Sequence, residues 1–146
     1  VTVENDGTNN SHAGGVVGYN GGGTLTACYA TGNVIGTGTG TDPIYVGGVT
    51  GSNNLGTLTA CYHAAETVSG PTGTTGGVAG RNFKGSMSGG GIITACYWGG
   101  GTGGTTQVTD GLWQNALAHM NAALSGKGWQ YELKDGNSLP TLKKEQ

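Results

Sequence analysis

Side chains able to do chemistry are sparse in this chain. The acids are Glu4, Asp6, Asp42, Glu66, Asp110, Glu132, Asp135 and Glu145. Cleavage of a glycosidic bond needs two carboxyl groups converging on one bond. None of these acids recurs at an equivalent position of the repeats described below, so no pair is assigned. The histidines His12, His63 and His119 are isolated, and the zinc-peptidase pattern HExxH is absent. Each reads as a surface or packed histidine rather than a ligand. Cys28, Cys61 and Cys96 match neither a CxxC redox motif nor a zinc-finger spacing. Three thiols cannot all pair within one chain, and the reading taken is a row of free, buried thiols. The run Gly99 to Gly104 satisfies GxGxxG literally. It lies in a glycine-saturated stretch without the strand–turn–helix context that would bring its backbone to a pyrophosphate. No catalytic residue, metal ligand or cofactor is therefore assigned, and the chain is expected not to be an enzyme. What remains is Arg81, Phe83 and Lys84, which include the only Arg and the only Phe of the sequence. A cation beside an aromatic ring can meet a sugar face or a protein surface, so these three are the candidate contact patch.

The elements that would position them follow from a repeat. Gly14-Gly15-Val16-Val17-Gly18-Tyr19-Asn20 leads into Thr24-Leu25-Thr26-Ala27-Cys28-Tyr29. The pattern returns as Gly47-Gly48-Val49-Thr50-Gly51-Ser52-Asn53 with Thr57 to Tyr62, and as Gly76-Gly77-Val78-Ala79-Gly80-Arg81-Asn82 with Ile92 to Tyr97. Short runs rich in Val, Thr and Tyr between Asn/Gly turns read as strands. Isolated hairpins of this length are marginal, but stacked copies pair every strand at about 4.8 Å. Val16, Val49 and Val78 are then expected to form one inward ladder, and Leu25, Leu58 and Ile93 another. Asn20, Asn53 and Asn82 fall at turns where an amide can bond backbone. The paired glycines suit positive φ or close backbone approach. Leu25 and Cys28 are three apart, so a bend must separate them if both face inward. The rows Thr24-x-Thr26 and Thr57-x-Thr59 would suit ordering of ice-like water, but the row breaks at Ile92. Two stretches are expected as loops: Gly36 to Thr41, and an insertion of Phe83 to Ser88 in the third copy.

The composition agrees. Glycine accounts for 33 of 146 residues, yet only 10% are charged and the glycines recur at matched positions, which argues against a disordered chain. Six Lys+Arg with a net charge of −2 leave no electrostatic footprint for nucleic acid. No apolar run reaches the roughly 18 residues of a membrane span. The start at Val1 reads as a mature fragment or an excised domain.

After Trp98 the pattern stops. Asp110 is a plausible N-cap. Trp113, Ala116, Leu117, Met120 and Leu124 share one helical face, and Gly126 and Gly128 end the helix. The helix is expected to run about four turns from Asp110. Trp129 to Leu133 alternates as a strand, and Leu139 to Leu142 reads as a last extended piece. The open end of a stack exposes core and strand edges, so this tail is read as a cap. The fold expected is mainly β: a β-solenoid or β-helix over residues 1–106, with repeats near 14–46, 47–75 and 76–98. A small α+β cap over 107–146 closes it.

Residues 14 to 34 resemble the GLUG repeat, and the second and third copies follow through Cys61-Tyr62 and Cys96-Tyr97. The chain carries Val where the name has Leu. The tail also looks like the segment that closes such arrays. The resemblance implies a large secreted or surface-anchored bacterial protein, in which this chain would be a non-catalytic module for adhesion or spacing. A carbohydrate-binding or carbohydrate-processing accessory role is the alternative. The partners implied are a host protein or glycan and the parent's other domains, and the location implied is the bacterial cell surface. The family supplies no catalytic residues.

Overall fold

A computed structural model describes residues 1–64, 67–71, 74–85, 91–99, 106–108, 113–135 and 138–145. The copies are too short to pair within themselves and pair with one another instead. The first supplies β1 (Thr2–Glu4), β2 (Ser11–Gly14), β3 (Val17–Gly21), β4 (Thr24–Thr26) and β5 (Tyr29–Ala30). The second supplies β6 (Val34–Thr37), β7 (Ile44–Gly47), β8 (Thr50–Asn54), β9 (Thr57–Thr59) and β10 (Tyr62–His63). The third supplies β11 (Val68–Ser69), β12 (Thr75–Gly76), β13 (Ala79–Phe83), β14 (Ile92–Thr94) and β15 (Tyr97–Trp98). Each strand pairs in parallel with its equivalent in the next copy, giving five columns three strands deep. A further strand, β16 (Thr106–Gln107), extends the last column beside β15. With one helix among the described residues, the chain is mainly β.

The register matches like with like. Asn20, Asn53 and Asn82 align, as do Leu25, Leu58 and Ile93, and Tyr29, Tyr62 and Tyr97. The Asn side chains extend the ladder. Asn20 Nδ2 donates to Asn53 Oδ1 at 2.8 Å, and Asn53 Nδ2 to Asn82 Oδ1 at 2.9 Å. Each amide also donates to a carbonyl just beyond its strand, those of Gly23, Gly56 and Gly91. Val49 and Val78 are fully buried, while Val16, on the free edge of the first copy, is 41% exposed. A second core lies between the first two columns, with Ala13, Val34, Ile44, Val46 and Val68.

The repeated glycines supply room, not positive φ, which none of the Gly-Gly pairs adopts. A Cβ on Gly48 would lie 2.2 Å from Gly77 O and 2.4 Å from the His63 ring. One on Gly51 would lie 2.7 Å from Ala13 N, Gly18 O and Tyr45 O. The reversal between β7 and β8 thus brings backbone onto backbone with no space for a side chain.

Thr24 to Tyr29, expected as one strand, is two. Ala27, Ala60 and Ala95 adopt left-handed φ of 55°, 51° and 51°, and this is the bend that turns both Leu25 and Cys28 inward. Left-handed backbone costs a non-glycine residue roughly 1 kcal/mol, and alanine offers the smallest Cβ that still packs. Two loop expectations also change. Phe83 is the last residue of β13, paired with Asn54, so the insertion begins only after it; residues 86–90 lie outside the described residues. Gly36 and Thr37 belong to β6, and the run beyond is held: Asp6 Oδ1 accepts from Thr39 N at 2.9 Å and Thr39 Oγ1 at 3.0 Å.

In the tail, α1 (Trp113–Leu124) is followed by an antiparallel pair, β17 (Trp129–Glu132) and β18 (Thr141–Lys144). Asn121 clamps helix to strand, donating to Tyr131 O at 2.9 Å and accepting from Tyr131 N at 2.7 Å. Asp110 lies outside the described residues. The helix face is buried as the spacing predicts, through Trp113, Ala116, Met120 and Leu124. Among the described residues it packs against the side of the stack. Its core includes Ala27 from the first copy and Ala60 and Tyr62 from the second, with Tyr97 of the third packed alongside. Tyr131 Oη donates to Ala60 O at 3.0 Å, and Tyr62 Oη donates to Pro140 O. The tail therefore lies along the flank, where the Ala-Cys-Tyr bends offer a ready-made apolar stripe.

Candidate functional site

The reversal from the second column to the third also sets the surface. Side chains on a strand alternate between faces. On β3, β8 and β13, Asn20, Asn53 and Asn82 share the ladder face, the first two buried and Asn82 exposed, leaving Tyr19, Ser52 and Arg81 as one column on the other face and Gly21, Asn54 and Phe83 as the next. The neighbouring strands contribute His12 and Tyr45, which align in β2 and β7.

These groups meet in one strip across the three copies. His12 and Tyr45 stack, with ring centroids 5.4 Å apart and planes at 16°. Tyr19 meets His12 edge-on at 5.1 Å. The Arg81 guanidinium lies 5.2 Å from the Tyr45 ring centre and 4.9 Å from that of Phe83. Asn54 Nδ2 donates to Tyr19 Oη. Tyr19 and Phe83 remain 47% and 43% exposed, so the strip is open to solvent. Burial, then the charge of Arg81, hold the His12 imidazole below its ordinary pKa, which keeps it neutral.

Of the residues singled out from the sequence, Arg81 and Phe83 are brought together here, and Lys84 follows them, exposed. Sequence reasoning missed Tyr19, His12 and Tyr45. Their signal lay in the columns that vary between copies: Tyr, Ser, Arg before the repeated Asn, and His, Tyr, Thr two residues before the Gly-Gly pair.

The other reactive groups are held apart. His63 is fully buried, and its Nε2 sits 2.9 Å from Gly32 O, so the ring proton is on Nε2. His119 Nδ1 and Tyr97 Oη meet at 2.6 Å on the tail's edge. The thiols form a row and all three are free, Cys61 and Cys96 buried as expected but Cys28 only half-buried, and each Sγ donates to the carbonyl two residues earlier, Thr26, Thr59 and Thr94. The neighbouring Cys61 thiol, then burial, push Cys28 well above the ordinary thiol range, which favours the protonated form. Among the described residues no group of three or more His, Cys, Asp or Glu could hold a metal ion. Glu66, Asp110 and Gly100 to Gly104 lie outside them. No described helix is long and apolar enough to cross a membrane.

Fold and strip together define a mainly β repeat protein whose copies stack in register. The family model described as the GLUG motif matches residues 9–35, the first of those copies, so the chain carries a GLUG motif. No curated protein and no solved structure matches the chain.

Proposed function

We propose that the chain is a short parallel β-solenoid that serves as a non-catalytic repeat module of a larger bacterial surface protein, acting in adhesion or as a spacer. The observation that carries this reading is the edge of the first copy. Val16 and Tyr29 there are 41% and 43% exposed, whereas Val49 and Tyr62, their equivalents in the second copy, are fully buried. The edge thus presents core-type residues and unpaired strand groups in the geometry that one more copy would cover. The GLUG motif at 9–35 supports a module within a longer repeat array.

The test is to join an additional copy of residues 1–33, one full round of the five columns, ahead of Val1 and follow thermal melting. A rise in Tm of several degrees with retained monomer supports extension at that edge, and an unchanged or lower Tm rejects it. Surface location is tested separately, by antibody labelling of intact and permeabilised cells; labelling only after permeabilisation rejects it. A carbohydrate-binding accessory role is the second reading, and the aromatic strip is the observation that favours it.

A further inference from the structure

We infer that the strip formed by Tyr19, His12, Tyr45, Arg81 and Phe83 is a binding site for a short oligosaccharide bearing a carboxylate. This rests on the binding reading above and names its ligand class. The first argument is charge. Arg81 carries donors in a fixed planar fork that matches a carboxylate, and its contacts are to ring faces, which leave that fork free. The one ion pair among the described residues is Lys143 with Glu132 in the tail, so Arg81 and Lys84 have no carboxylate of their own there. Bracing between Tyr45 and Phe83 fixes the guanidinium before any ligand arrives, which lowers the ordering cost of binding.

The second argument separates a sugar from an acidic peptide. The rest of the strip is aromatic and neutral: the flat faces of Tyr19, Tyr45 and Phe83 suit the apolar face of a sugar ring. Around them lie polar atoms that the fold leaves unmade. Of the four buried side-chain N and O atoms without a partner among the described residues, His12 Nδ1, Ser52 Oγ and Asn54 Oδ1 belong to this strip. Ser52 is wholly covered, between Tyr19 and Arg81 in the same column. Buried polar groups are normally satisfied. In the free chain these atoms are covered, so the preference for a sugar rests on the three neutral ring faces around Arg81. Three copies at about 4.8 Å spacing make the strip roughly 10 Å long, a short oligosaccharide's footprint.

The test uses the whole chain and calorimetric titration with three probes: uronic-acid oligosaccharides, the same oligosaccharides with carboxyls reduced to alcohols, and a poly-glutamate peptide. The expected result is binding of the uronic-acid form, about tenfold or more weaker for the reduced form. A similar loss is expected in Arg81→Ala, with partial rescue in Arg81→Lys. Equal affinity for both saccharide forms, undiminished binding by a folded Arg81→Ala, preference for the peptide, or no saccharide binding would each overturn the inference. The comparison of the two saccharides needs no variant, so a folding defect in Arg81→Ala leaves the test intact. Failure here leaves the added-copy melting experiment untouched, so the solenoid-module reading stands or falls separately.

Discussion

The Asn ladder gives the sharpest stability prediction. Asn53 is fully buried, accepts one hydrogen bond from Asn20 and donates two, to Gly56 O and Asn82 Oδ1. Asn53→Ala removes all three, at about 1 kcal/mol each, while the freed Oδ1 of the exposed Asn82 can take up water. Gly56 O is spared because it also accepts from Ile92 N at 2.9 Å. The expected loss is about 3 kcal/mol, a large share of the roughly 5–15 kcal/mol of a typical domain. Asn20→Ala removes two bonds, at about 1 kcal/mol each, and should cost about 2 kcal/mol, the space it leaves opening on the free edge of the first copy. Asn53→Asp keeps the volume but sets an acceptor against Asn82 Oδ1, so its loss reports hydrogen bonding rather than a cavity. Urea unfolding, with midpoints compared at constant m, measures all three. If Asn53→Ala costs no more than Asn20→Ala, or if Asn53→Asp is neutral, the ladder does not hold the copies together.

Three further outcomes are expected. Gly51→Ala should cost more than about 3 kcal/mol or prevent folding, because its Cβ would meet backbone at 2.7 Å, while Gly32→Ala, with open space around it, should change stability by less than about 0.5 kcal/mol; similar melting of the two variants would refute the close-approach account. Burial depresses the His63 pKa in the folded state, so the stability this neutral ring contributes is full above about pH 6.5 and is lost as pH falls below it. Melting from pH 7.5 to 4.5 should show that loss and His63→Phe should flatten it, although His12, shifted in the same direction, keeps part of the slope. Deleting residues 107–146 uncovers Tyr62 and Ala60 and should produce dye-binding, self-associating protein; a monomeric truncation with unchanged melting would show that the flank needs no cover.

Much of the architecture was legible because stacking copies places identical residues one above another. Once Gly-Gly, Asn and Ala-Cys-Tyr are aligned, register follows without any knowledge of the path between them. Where the tail docks was not legible. The apolar face of α1 says that it must be covered, but a flank and an open end are equally apolar in sequence. Only the left-handed turn at Ala27 and Ala60, a conformation alanine rarely advertises, shows that the bend exposes a stripe there. Phe83 was misassigned for a related reason. Counting residues between Asn82 and Ile92 locates six extra residues, but the count cannot say that pairing with Asn54 carries the strand one residue further before the chain leaves the stack.

The columns that repeat and those that vary do different work. Val49, Leu58, Cys61 and Asn53 hold core positions where any change disturbs two neighbouring copies at once. Tyr19, Ser52 and Arg81, by contrast, occupy one column with three unrelated side chains, and Gly21, Asn54 and Phe83 occupy another. A backbone held in register by its neighbouring copy tolerates that variety, since the register is set by the inward column. The strip can therefore acquire a ring here and a guanidinium there without altering the stack that presents them. Within the three copies, the varied columns converge on one face, where His12 and Tyr45 complete it.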